Sequence, residues 1–149
     1  MEIGSFIEFQ LPKRREYHRG ETDIARLNSG RAALWYAFRC TGCRVLWLPY
    51  YQCDSVRDYL LRQGCELKYY HIDSRFDPVD LTPAEDEAVL LVNYYGVMSH
   101  ARMTALAKPY SHVVIDNAQA FFAKPVEGAY NVCSARKFVG APDGAYLQF

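Results

Sequence analysis

The chain has 149 residues, 50% of them hydrophobic, and its 17 Lys and Arg balance 17 Asp and Glu to a formal net charge of zero. That length suits one domain with a real core, and the balanced charge offers neither a basic field for nucleic acid nor an acidic tail. No run approaches the ~18 apolar residues of a membrane span, and the start, Met1 to Phe6, lacks the charged head and apolar run of a secretion signal, so a cytoplasmic protein is expected.

In chain order, Pro12 to Gly20 is polar and basic and reads as a surface arm. Asn28-Ser29-Gly30-Arg31 precedes an apolar run, Ala32 to Phe38, expected as a buried helix capped by Asn28 or Ser29. A glycine at a helix start lets a ligand approach free N–H groups, which favours an anion; ordinary capping explains the same residues. Val45 to Pro49 reads as a buried strand, followed by Tyr50, Tyr51, Gln52 and Cys53. A helix is expected from Asp54 or Ser55 to Gln63, closed by Gly64.

Glu66 to Tyr70 is the next strand. Phe76 to Glu87, with Pro78 and Pro83, reads as a surface connection containing a short helix from Pro83. Ala88 to Val92 is a continuous apolar strand of the buried parallel kind. A helix over 101–107 and a strand over 112–115 follow, and the latter ends in Asp116-Asn117-Ala118-Gln119. Two last strands, 130–134 and 145–149, flank a Gly- and Pro-rich loop that holds Lys137.

This rhythm predicts an α/β fold, a three-layer α/β/α sandwich with a mostly parallel sheet. Tyr50 and Tyr51, Asn93, Asp116, and Ser134 with Lys137 each follow an apolar strand, so they gather at the carboxyl edge of the sheet. Asp116 ends an apolar run, where burial is expensive unless a cation is paired with it. The five cysteines, among them Cys40 and Cys43, form no second pair and cluster with no histidine; reduced, inert thiols are expected and no metal site. Fingerprints for dinucleotides, nucleotide phosphates and the serine-hydrolase elbow are missing.

With these clusters in hand, the chain resembles the PLP (pyridoxal 5'-phosphate) aminotransferases of fold type I, more narrowly the DegT/StrS-type sugar aminotransferases. The likeness rests on Ser29-Gly30, Pro49-Tyr50, Tyr95-Gly96, Asp116-Asn117-Ala118-Gln119, and Ser134-x-x-Lys137 with Gly140-x-Pro142-Asp143-Gly144. The resemblance implies that Lys137 binds the cofactor as a Schiff base and shuttles protons. It implies that Asp116 pairs with the protonated pyridine nitrogen, so that the ring stays an electron sink. Gln119 is implied at the phenolic oxygen, Ser29, Gly30 and Ser134 at the phosphate, and an aromatic side chain on the ring. The count from Pro49 lands that aromatic position nearer Cys53, and Tyr51 is taken in its place.

Two residues depart from the family pattern. Arg31 stands where threonine is usual, either binding phosphate bidentately or pointing away. Arg136 stands before the lysine, where a small residue is common. Against the family, residues 1–149 correspond to most of the large domain, with an N-terminal arm at 1–26; the small C-terminal domain is expected to be absent and the fold truncated. The function expected is transamination of a keto sugar nucleotide by an amino-acid donor such as glutamate, in a homodimer whose partner helps build the phosphate region. The alternative is a catalytically inactive or truncated PLP-fold protein with a structural or interaction role.

Overall fold

The structure is a computed structural model and describes residues 15–149. The first fourteen positions of the expected N-terminal arm lie outside the described residues.

Eight strands and three α-helices alternate along the described chain: β1 (Ile24–Leu27), α1 (Gly30–Thr41), β2 (Val45–Pro49), α2 (Asp54–Arg62), β3 (Glu66–Ile72), β4 (Pro78–Val79), β5 (Ala88–Val92), α3 (His100–Ala107), β6 (Val113–Asn117), β7 (Tyr130–Ser134) and β8 (Ala145–Gln148). They build one sheet, ordered β1-β8-β7-β6-β5-β2-β3-β4. The central pairings β3-β2, β2-β5, β5-β6 and β6-β7 are parallel. β8 is antiparallel to both of its neighbours, β7 and β1, and β4 is antiparallel to β3. With its helices the sheet forms the expected three-layer α/β/α sandwich.

The core follows from the strand sequences. All five residues of β5 are buried, as its unbroken apolar run requires of a strand covered on both faces. Leu46 and Leu48 of β2, Val114 and Ile115 of β6, and Val132 of β7 continue that layer. α1 presents Ala33, Leu34, Ala37 and Phe38 to it, at helical spacing. The helix ends where Gly42 takes a left-handed φ of 74° and its N–H returns to Arg39. Just before β5, buried Glu87 accepts from the Trp47 indole N–H at 2.7 Å and the Ala84 N–H at 3.1 Å, and it pairs with Lys68.

Ile24–Leu27, for which no strand is expected, is strand β1, paired with β8. Two local expectations differ from the structure. No helix starts at Pro83; the chain makes one turn, in which the Glu87 N–H donates to the Ala84 carbonyl at 3.1 Å, and enters β5 at Ala88 before a second turn can form. Asp116 and Asn117 belong to β6 itself rather than following it.

Candidate active site

The carboxyl ends of β2, β5, β6 and β7 and the start of α1 surround one cavity of about 380 Å³. Ser29, Gly30, Arg31, Tyr51, Asp116, Gln119, Ser134 and Lys137, the residues singled out from the sequence, all line it. Asn93 does not; it lines a separate hollow, where its Nδ2 donates to Asn117 Oδ1 at 3.1 Å.

One wall is the start of α1. Ser29 is its N-cap, and its hydroxyl accepts from the Ala32 N–H at 3.3 Å. Gly30 faces Ser134, and a Cβ on it would lie in ordinary contact, 3.7 Å from the Ser134 Cβ and 4.0 Å from its Oγ. A side chain there would fill the gap between helix start and strand end. Arg31, exposed on the first turn, forms no ion pair among the described residues.

The opposite side is the lysine loop. Ala135–Lys137 forms a single 3-10 turn directly after β7. The Ala135 N–H donates to Gly144 at 3.1 Å and the Gly144 N–H donates to Asn28 at 3.0 Å, so the loop is held at both ends. Lys137 is exposed and has no carboxylate within ion-pair distance among the described residues. Arg136 lines the cavity beside it.

The floor is Asp116, only 5% exposed. Its Oδ1 accepts from the Ala118 N–H at 2.8 Å, and its Oδ2 accepts from Gln52 Nε2 at 3.1 Å. Burial pushes its carboxyl above the ordinary 3.8, opposed by the Ala118 N–H, the Gln52 amide and the charge of Lys137. A carboxylate buried without a cation in contact is costly unless a ligand supplies one.

The side walls are aromatic and polar. The Tyr51 and Tyr95 hydroxyls lie 2.8 Å apart, and the Tyr94 hydroxyl donates to the Tyr51 carbonyl at 2.8 Å. Tyr50 turns away and stacks on Tyr69 with ring centres 5.1 Å apart. The Tyr95 N–H donates to Gln119 Oε1 at 2.9 Å, which leaves the Gln119 NH₂ as its free end. That approach depends on Gly96, at φ 68°, where a Cβ would meet the Gln119 carbonyl oxygen at 3.0 Å.

Gln52, Cys53 and Ser55 also line the cavity and were not singled out as site residues from the sequence. Cys53 caps α2, and its Sγ lies 3.1 Å from Ser55 Oγ. The Ser55 hydroxyl and N–H draw the thiol below its ordinary value, and the charge of Lys137 adds to them. Their signal in the sequence was position: all three lie in the β2–α2 connection or the first turn of α2, which the parallel sheet delivers to this edge.

The donor set suits a phosphorylated pyridine aldehyde. Ser29, Gly30 and Ser134 leave room between helix start and strand end, and among the described residues Asp116 has no cation in ion-pair contact and Lys137 no anion. No metal-ligand cluster exists among the described residues.

No protein-family model matches the chain, and no curated protein matches it. Solved structures do. DesV of S. venezuelae, solved with a ketimine intermediate, is 20% identical with a TM-score of 0.65 over 84% of this chain and 39% of its own. The sugar aminotransferase CalS13 of Micromonospora echinospora is 20% identical, with a TM-score of 0.66 over 85% of this chain and 42% of its own. NtdA of Bacillus subtilis, solved with the cofactor PMP, is 15% identical, with a TM-score of 0.62 over 84% of this chain and 32% of its own. The chain therefore shares the fold of part of each of these proteins and spans about two fifths or less of their lengths.

Proposed function

We propose that the cavity serves PLP-dependent transamination of a keto sugar nucleotide, with an amino-acid donor such as glutamate. The observation that carries this reading is the pairing, in one cavity, of a buried carboxylate lacking a cation with an exposed lysine lacking an anion. Pyridoxal phosphate, when bound, supplies the electron sink that stabilises a carbanion at the substrate carbon.

The chain's own residues supply the rest. Asp116 holds a proton on the pyridine nitrogen by offering a fixed anion. Lys137 is the amine that attaches the cofactor and, once displaced by an amino substrate, the base that moves the proton. Ser29, Gly30 and Ser134 receive the phosphate at the start of α1, where N–H groups converge, and Arg31 adds a planar double donor. Gln119, whose NH₂ is left free by the bond from the Tyr95 N–H, would donate to the phenolic oxygen, and Tyr51 would cover the ring. A homodimer and a cytoplasmic location belong to this same reading.

A second reading is favoured by the aromatic surface beside the site. Phe122 and Tyr17 are largely exposed and pack edge-on to each other, next to Phe121 and Phe138. Such a surface suits a protein that binds a partner and lacks turnover.

The test is reconstitution with pyridoxal phosphate, borohydride reduction and mapping of the labelled residue, followed by addition of glutamate. Label on Lys137 with conversion by the donor supports the enzyme. Label without conversion by any donor supports the second reading, and no label on Lys137 removes the PLP assignment.

A further inference from the structure

Gln52 reaches Asp116 from a distant part of the chain, and nothing in the proposed reaction requires it as a reactant. Its amide has a fixed sense. Oε1 accepts from the Cys53 N–H at 2.8 Å, at the cap of α2, so Nε2 faces Asp116 Oδ2 at 3.1 Å. Turning the amide over would set NH₂ against N–H at one end and carbonyl against carboxylate at the other. Gln52 is therefore held as a donor.

The two donors on Asp116 divide its oxygens. Ala118 N–H takes one lone pair of Oδ1 and Gln52 takes one of Oδ2. A carboxylate offers about four such sites, so acceptor capacity remains for a cation in the cavity. Ala118 follows directly after Asp116's own strand and its donor is backbone. Gln52 is the one side-chain donor to this carboxylate among the described residues, and it comes from the β2–α2 connection.

We propose that Gln52 is a positioning residue: it locks the Asp116 carboxylate, ionised and oriented, for the pyridine nitrogen before the cofactor arrives. This rests on the reading of Asp116 as that nitrogen's partner. The preorganisation itself is a property of the cofactor-free protein. The other titratable groups around the cavity are Arg31, Arg136 and Lys137, the Cys53 thiol, and the hydroxyls of Tyr51, Tyr94 and Tyr95. Of the charged ones, none makes an ion pair with Asp116.

The experiment uses cofactor-free protein with labelled Asp carboxyl carbons and labelled Gln side-chain nitrogens, followed by NMR against pH. In the wild type the Gln52 amide signal should titrate together with Asp116. In Gln52→Met the Asp116 midpoint should move up, and in Gln52→Glu further up. Pyridoxal phosphate should bind Gln52→Met about tenfold or more weakly, the loss expected when a hydrogen bond to a charged group is removed. A wild-type Gln52 signal that stays flat while Asp116 titrates overturns the proposal, and this arm needs no variant to fold. An unchanged Asp116 midpoint in folded Gln52→Met overturns it equally. Wild-type protein that shows the coupling but binds no pyridoxal phosphate leaves the positioning intact and removes the proposed function instead.

Discussion

The Gly144 N–H donates to the Asn28 carbonyl at 3.0 Å, joining the far end of the lysine loop to the residue before the α1 cap. The two halves of the cavity, the start of α1 and the lysine loop, are thus fixed to each other through backbone. Gly144 sits at φ 107°, a conformation that side chains strain to adopt. Gly144→Ala should lower stability by about 1–3 kcal/mol and weaken pyridoxal phosphate binding in parallel. Thermal melting and a cofactor titration check both; a destabilised variant with unchanged cofactor affinity would show the tie to be structural only.

Lys137 makes no ion pair among the described residues and is exposed, so its removal should leave the fold alone. Lys137→Ala should abolish reducible attachment of pyridoxal phosphate and lower turnover by at least about 10²–10⁴-fold. The melting temperature should stay near wild type. Attachment that persists at another lysine would relocate the chemistry.

Arg31 lines the cavity on the first turn of α1. Arg31→Ala should weaken pyridoxal phosphate about tenfold or more while leaving the affinity for unphosphorylated pyridoxal unchanged. Parallel titrations with the two compounds separate a phosphate contact from a general effect. Equal losses for both would mean that the guanidinium does not touch the phosphate.

Asp116 sets a pH dependence with a definite sign. Its carboxyl is raised above 3.8, so the folded chain binds that proton more tightly than the unfolded chain. Its contribution to stability is fullest below 3.8 and declines as pH rises through the raised value. Cofactor-free Asp116→Asn should therefore melt higher than wild type at neutral pH, with the gap closing in acid, while losing cofactor affinity. A variant that melts lower at neutral pH would contradict the burial argument.

Glu87 acts in the opposite sense. Lys68, the Trp47 indole and the Ala84 N–H hold its carboxyl down, from 4.5 to about 2. Its contribution is present above 4.5 and is lost as pH falls toward about 2. Glu87→Gln should flatten the acid limb of the stability curve; urea melts across that range are the check.

Much of this was legible in the sequence where one local signal sufficed. The apolar run of β5 admits only a strand covered on both faces, and Ser29 before an apolar run marks a helix start. Lys137 stands out because its loop cannot continue either flanking strand. What escaped was long-range. Ile24–Leu27 is a short strand in a polar neighbourhood, and it exists because β8 pairs with it from the other end of the chain. Pro83 gave a sound helix-start signal, but the chain enters β5 at Ala88, after a single turn. Gln52 bonds to Asp116 across a sequence gap that no periodicity reports.

β8 also sets the order of events in folding. It lies between β7 and β1, and β1 touches no other strand among the described residues. Strand β1 therefore has no strand to join until residues 145–148 have been laid against β7. Closing a loop of nearly the whole chain is a slow, entropically opposed step, taken once the central parallel strands exist. In refolding, secondary structure should then recover first, and capture of pyridoxal phosphate should lag behind it as the report of the last strand's arrival.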